Sequence, residues 1–381
     1  MVSESLDLLI FQGTPFCNID CRYCYLPNRL DKRVISTETI KKTIDLLLTS
    51  NLIGKELSIV WHCGEPLVIP IEQYKTFFDT ISKALKNKPI TVKHSFQTNG
   101  LLINKNWVRF FKKQNINLGL SIDGPETIND VNRITRSGKG TYNTLNKSLK
   151  ILRDNDIDFH VIAVITKESI DKADELYDFF KALGISRLGL NIEEIEGSNT
   201  KSSFIENYNK NKVFNFFNTL YNKQLNDKDP LYIRELDRVK KRILYADLDK
   251  KALDKRYING QEITPFKILS VDVEGNLSTF SPELMGQKSK DFNDFLFGNI
   301  FSMNNINEML SNTAFKQIYR DITSGVKKCI DTCQYYDFCG GGSPSNKFFE
   351  NGTFDSTITY NCKASTQIPL NVVLNKLSEE L

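Results

Sequence analysis

Between residue 6 and about residue 195, six β-rich apolar runs alternate with amphipathic helical stretches, and this alternation restricts the chain to a parallel sheet covered by helices. The runs are LDLLIFQG from Leu6, LSIVWHC from Leu57, VKHSFQTN from Val92, LGLSIDG from Leu118, DFHVIAVIT from Asp158 and RLGLNIEE from Arg187. The stretch STETIKKTIDLLLTSNL predicts a helix with Ser36 as N-cap, Glu38 in the first turn and apolar residues at helical spacing behind them. Six such units predict an α/β fold built as a partial (β/α)6 barrel of the TIM type. Barrels of this kind place their chemistry at the carboxyl ends of the strands.

Just after the first run comes PFCNIDCRYCYLP, with Cys17, Cys21 and Cys24 spaced CxxxCxxC. With 8 cysteines in 381 residues, that spacing arises by chance roughly 0.003 times per chain. Three thiolates leave a metal site incomplete. A structural zinc takes four protein ligands and a cysteine-held 4Fe-4S cluster normally takes four, so three leave one iron open to a small molecule. A zinc knuckle with His62 as fourth ligand is the competing reading.

The charge balance of 50 basic and 46 acidic side chains, formally +4, gives no nucleic-acid surface. No apolar run is long enough to span a membrane and no signal peptide opens the chain, so a cytoplasmic location is expected. There, clustered cysteines point to metal rather than disulfides.

Residues 1–199 are expected to form the barrel. Residues 200–262 lose the alternation and read as a helical bridging segment, IENYNKNKVFNFFNTLYNKQL and LYIRELDRVKKRILYADL, around the break at Asp227 to Pro230. Residues 263–381 begin with a hairpin turning at Glu274, Gly275 and Asn276, then FGNI and a helix that leads into KKCIDTCQYYDFCGGGSPSNKFF. That segment carries Cys329, Cys333 and Cys339, with Cys362 beyond it. Four thiolates can close a cluster, which makes this second group an electron carrier; a zinc with four thiolates is the alternative.

The CxxxCxxC spacing, with the aromatic Tyr23 before the third cysteine, resembles the radical S-adenosylmethionine (SAM) enzymes. The resemblance implies a 4Fe-4S cluster on Cys17, Cys21 and Cys24 whose open iron binds the amino and carboxylate groups of SAM, which is cleaved to a 5'-deoxyadenosyl radical. Gly64 and Glu65 in WHCGEPL resemble the GGEP motif that holds the methionine amino group, with Cys63 in place of the first glycine. Asn99 and Ser121 are implied as nucleoside contacts, and Arg133, with Arg136 as its rival, as the partner of the SAM carboxylate. Both TNG and DGP, which follow these strands, are also ordinary turn sequences. A buried zwitterion in any case requires paired partners at its charged ends.

The second cysteine group resembles the SPASM extension of peptide-modifying radical SAM enzymes, so the C-terminal part is expected to be an α+β, SPASM-like cluster-binding extension. Ser343 stands where a further cysteine is usual, which implies one auxiliary 4Fe-4S cluster rather than two. Anaerobic sulfatase maturases carry a cysteine and a catalytic Asp where Phe280 and Ser281 stand here. The phrases LSTFSPEL, HCGEP and FQGTPFCNIDCRYCYLP instead resemble the XYE and Grr peptide maturases, which join an aromatic ring to the β-carbon of a nearby residue as a cyclophane. This implies a precursor peptide, leader plus core, as substrate, and an electron donor such as flavodoxin or ferredoxin. Glu283 is the candidate base for the proton lost on rearomatisation. With five residues ahead of the first run, no fused leader-recognition domain is expected there, and the leader is expected to add as a strand to a sheet edge. A sulfatase maturase, another SPASM enzyme forming thioether or ether links, and a zinc-bearing peptide-binding protein are the alternatives.

Overall fold

The computed structural model describes residue 3 and residues 5–204, 209–244 and 260–379. The six expected units are all present: β1 (Leu8–Phe11), α1 (Thr37–Thr49), β2 (Glu56–Trp61), α2 (Ile71–Ala84), β3 (Thr91–Thr98), α3 (Lys105–Gln114), β4 (Asn117–Ser121), α4 (Glu126–Asn132), α5 (Tyr142–Arg153), β5 (Phe159–Ile165), α6 (Ala173–Ala182) and β6 (Arg187–Ile192). Neighbouring strands from β1 to β6 pair in parallel. Ser36 caps α1 as expected, its hydroxyl accepting from Thr39 N at 2.9 Å, and Glu38 lies in the first turn. Such a cap satisfies a donor that the helix leaves free.

Alternation along the strands sorts the two faces. In β5, residues 159, 161, 163 and 165 are fully buried and those between are half-buried, which sends one set into the helix layer and the other into the barrel interior. The core between sheet and helices is aromatic. Trp61 of β2 stacks on Phe11 at 5.1 Å and on Phe77 of α2 at 5.7 Å, and Trp107 and Phe111 of α3 close the far side. Each such burial stabilises the fold by about 1.5–3 kcal/mol.

The chain then runs through α7 (Lys210–Asn226), β7 (Tyr232–Ile233) and α8 (Arg234–Leu244). The second bridging helix, expected from Leu231, starts later, because Tyr232 and Ile233 pair in parallel with Arg187 and Leu188. Residues 205–208 and 245–248, the ends of the two expected helices, lie outside the described residues.

The expected hairpin is β8 (Ile268–Val271) and β9 (Asn276–Thr279), followed by β10 (Gly298–Asn299). Its turn is closed by Gly275 at φ 78° and by the Asp272 carboxylate, which accepts from Glu274 N and Asn276 N at 2.9 Å. The hairpin does not stand apart from the barrel. Strand β8 pairs in parallel with β1, Leu9 opposite Leu269, so one sheet of ten strands runs β10-β9-β8-β1-β2-β3-β4-β5-β6-β7. Helices α9 (Thr313–Thr332), α10 (Tyr336–Cys339), α11 (Pro344–Asn351) and α12 (Ile368–Glu379) complete the C-terminal part. No helix among the described residues is long and apolar enough to cross a membrane.

Candidate active site

A cavity of about 1960 Å³ opens at the carboxyl ends of the barrel strands, and Cys17, Cys21 and Cys24 all line it. Their loop leaves β1 and is held by three neighbours. The end of α4 and the residues after it staple it through Asp20 N to Ile134 O at 2.8 Å and Arg22 N to Asn132 O at 3.0 Å. Arg136 donates to the carbonyls of Cys17 and Arg29 at 2.7 and 2.6 Å. The loop after β2 packs beneath, where a Cβ on Gly64 would lie 2.1 Å from Thr14 O. That approach, with φ 86° at Gly64, admits only glycine. Cys63 before it also has a left-handed φ, 66°, so it keeps the backbone shape of the glycine it replaces. Its side chain is packed away from solvent, 3.5 Å from Tyr25 OH.

The polar residues expected to serve SAM gather on this cavity, tied to one another and to the cysteine loop. Glu65 is buried, and its carboxylate accepts from Leu67 N at 2.9 Å, Thr98 Oγ1 at 2.6 Å and Asn99 N at 2.8 Å, joining the ends of β2 and β3. Burial nevertheless holds its pKa above the usual carboxylate range, against the pull of those three donors. The Asn99 side chain turns into the loop, Nδ2 donating to Asn18 Oδ1 at 2.8 Å and lying 3.9 Å from Cys17 Sγ. Ser121, at the end of β4, accepts from Gln97 Nε2 at 3.0 Å.

Arg133 is buried and pairs with Asp123 at 3.0 Å, while its Nη1 lies 3.8 Å from Cys21 Sγ. The same Asp123 accepts from Tyr23 OH at 2.6 Å. Between the two rivals, Arg133 lines the cavity and faces a thiol, whereas Arg136 is spent on backbone carbonyls. Burial pushes the thiols of Cys17 and Cys21 up to about 12, so these sulfurs shed their protons only to a group that supplies positive charge. Three thiols with amide and guanidinium donors aimed at two of them fit a cluster held as thiolates. His62 instead lies with its Nε2 3.4 Å from Tyr25 OH.

Across the cavity stands an acidic wall, only one member of which was expected. Glu283, in the turn after β9, lines the cavity with Glu194, Glu196 and Glu262. Burial first, then the neighbouring Glu262 and Glu194 carboxylates, push Glu283 up to about 8, and burial pushes Glu194 up to about 7. Serines connect the wall. Ser343 and Ser281, which stand where the resemblance leads one to expect a cysteine and an acid, both donate to Glu262 Oε2, at 2.5 and 2.8 Å. Ser345 donates to Glu196 Oε1 and Asn346 to Glu194 Oε2, both at 2.6 Å. Phe280 is fully buried against Phe315 at 5.6 Å. The sequence signal for Glu194 and Glu196 is slight: an acid-rich NIEEIEG at the carboxyl end of β6.

Cys329, Cys333, Cys339 and Cys362 line one small enclosed cavity, and Cys339 also lines the large one. Cys329 lies in the last turn of α9 and Cys333 ends that helix. Cys339 closes α10 ahead of three glycines with positive φ, Gly340 to Gly342, and Cys362 opens a π-helical turn, Cys362–Gln367. A hydrogen bond from Cys362, then the N–H groups of Gly341 and Gly342, draw the Cys339 thiol down to about 6 against burial.

Residues 11–195 match the radical SAM superfamily. Over 378 residues the chain is 36% identical to the uncharacterized protein sll1766 of Synechocystis sp., covering 98% of this chain and 93% of that one. Residues 11–195 form a radical SAM domain, and the chain is an enzyme whose cofactors are a 4Fe-4S cluster and SAM. Its match to the cysteine-type anaerobic sulfatase-maturating enzyme of Clostridium novyi is 31% identical over 183 residues and covers 47% of this chain and 48% of that one. Two solved structures share its fold. One is anSMEcpe with bound AdoMet and Cp18Cys peptide, with TM-score 0.78, 19% identity and 99% of each chain covered. The other is Streptococcus suis SuiB bound to precursor peptide SuiA, with TM-score 0.64, 18% identity, and 95% of this chain and 76% of that one covered.

Proposed function

We propose that this enzyme crosslinks a ribosomally made precursor peptide, joining an aromatic ring to the β-carbon of a nearby residue. The observation that carries the reading is one cavity lined by the three-cysteine loop, by Cys339 of the four-cysteine site and by the Glu283 and Glu194 carboxyls, pushed up to about 8 and about 7. The peptides bound to anSMEcpe and SuiB support a peptide as substrate. Phe280, buried against Phe315, and Ser281, buried and donating to Glu262, support crosslinking over the sulfatase maturase alternative.

Bound at Cys17, Cys21 and Cys24, the cluster with SAM supplies the radical that removes one hydrogen atom from the peptide. Cys329, Cys333, Cys339 and Cys362 would hold the auxiliary 4Fe-4S cluster, an electron carrier. Tyr23, Gly64, Glu65, Asn99, Ser121 and Arg133 shape the SAM pocket, Arg133 supplying a cation beside Cys21. Glu283, drawn near 8, takes the ring proton during rearomatisation, and the Glu194 carboxyl offers a second acceptor. Residues 1–199 would serve SAM binding, residues 200–262 bridge, and residues 263–381 hold the auxiliary site, although one sheet runs through all three. Eight free cysteines suit a reducing cytoplasm with a flavodoxin or ferredoxin as electron donor.

The test is co-expression with a precursor whose aromatic rings are deuterated, read by mass spectrometry. Each cyclophane removes one ring deuterium and one β-hydrogen. Loss of two hydrogens with all ring deuterium retained would assign a maturase-like oxidation or a thioether or ether link. An unchanged peptide beside continued deoxyadenosine release would sink the peptide-crosslinking reading.

A further inference from the structure

Lys347 sits on α11 with 3% of its surface exposed, facing the second cysteine group. The three-glycine turn of Gly340 to Gly342 and the buried Ser345 and Asn346 set the helix so that this side chain points inward. Among the described residues its ammonium makes one hydrogen bond, to Cys329 Sγ at 3.6 Å. Asp355, the acid it senses, is already paired with Lys328 at 2.9 Å. An ammonium taken out of water without a counter-ion is costly, and a neutral thiol does not compensate it. Four ligating thiolates would.

The first cysteine group is different. Its buried cation, Arg133, is matched by Asp123 at 3.0 Å, so the pair adds no net charge. At the second group the charge is unmatched, and further donors converge there: Gln367 Nε2 lies 3.5 Å from Cys362 Sγ, and the N–H groups of Gly341 and Gly342 reach Cys339. Positive charge and hydrogen bonds at the sulfurs favour the reduced, more negative state of an iron-sulfur cluster.

We propose that Lys347 is the resident counter-charge of the second cysteine site and holds its cluster at a higher reduction potential than the thiolates alone would give. The proposal rests on the reading of that site as an auxiliary cluster. It makes the second site an electron acceptor and leaves the charge-balanced first site a donor.

The test uses full-length protein carrying Cys17→Ala, Cys21→Ala and Cys24→Ala, so that only the second cluster is observed. Lys347→Met, Lys347→Gln and Lys347→Arg are compared by metal analysis and by one-electron redox titration against mediator dyes, read by EPR. Lys347→Met and Lys347→Gln are expected to disfavour reduction about tenfold, about 59 mV for one electron, while Lys347→Arg stays near the parent. Loss of iron in the neutral variants with retention in Lys347→Arg also supports the proposal, since the charge is then needed to hold the cluster. Equal iron loss in all three variants, or an unmoved potential in Lys347→Met, overturns it and leaves Lys347 a packing residue. Zinc in place of iron in the parent would overturn the cluster reading and this proposal with it. A cluster that is present but unmoved overturns this proposal alone.

Discussion

The two cysteine sites are built from the same atoms and differ in what surrounds them. The first hangs on a loop that lines a large cavity, three half-buried thiols among buried polar neighbours, its cation already paired. The second is enclosed between α9, α10 and a π-helical turn, four thiols with a lone lysine. On the proposed reading, the open ligand set at the wide cavity would serve binding, and the complete set in the tight one would serve storage of charge. The count of cysteines alone indicates this difference; the access and the charge explain it.

The largest effect that would break the comparison is loss of the first site. Cys24→Ala should abolish deoxyadenosine release outright and cut the iron from about eight per chain to about four. Any surviving release of deoxyadenosine would refute the assignment of the loop. Next, Cys362→Ala should leave release intact while crosslinked peptide disappears. If crosslinking persisted at the parent rate, the second site would be structural only.

A smaller effect tests the wall between them. Glu283→Gln should lower the crosslinking rate by about 10²-fold, within the usual range for a proton-transfer group, and remove the rise in rate expected of the parent as pH approaches 8. A variant with the parent's pH profile would move the role to another carboxyl.

The smallest concerns stability. A free glutamate titrates near 4.5 and Glu283 near 8, so the folded state holds its proton more tightly. The stabilisation linked to that proton is complete below the unfolded value and is lost as pH rises through the folded one. Melting temperature should therefore fall between pH 5 and 8, and Glu283→Gln should recover about 2 °C or more of that fall. A slope identical to the parent's would contradict the burial of this group.

Local pattern carried much of this architecture. The six strands lie within a few residues of their apolar runs because alternation and turn signals are written in adjacent residues. The cysteine loop and the GEP, TNG and DGP phrases were legible for the same reason, each following its strand. Pairing of β8 with β1 was not, since two segments some 260 residues apart carry no local mark of their register. Nor was the acidic wall. Glu194, Glu196, Glu262 and Glu283 come from separate segments that only the fold brings together, and Glu262 offers no motif at all. Lys347 reads as one more surface lysine until the glycine turn ahead of it is seen to rotate α11 inward.

The shared ten-stranded sheet also has a consequence for how the enzyme can be cut. A fragment ending near residue 199 would carry β1 with one whole edge of unpaired N–H and C=O groups, because β8 normally covers it. Such a bare edge is a template for self-association. The barrel half on its own should therefore come out of the cell as aggregate, with the C-terminal half acting as its solubility partner.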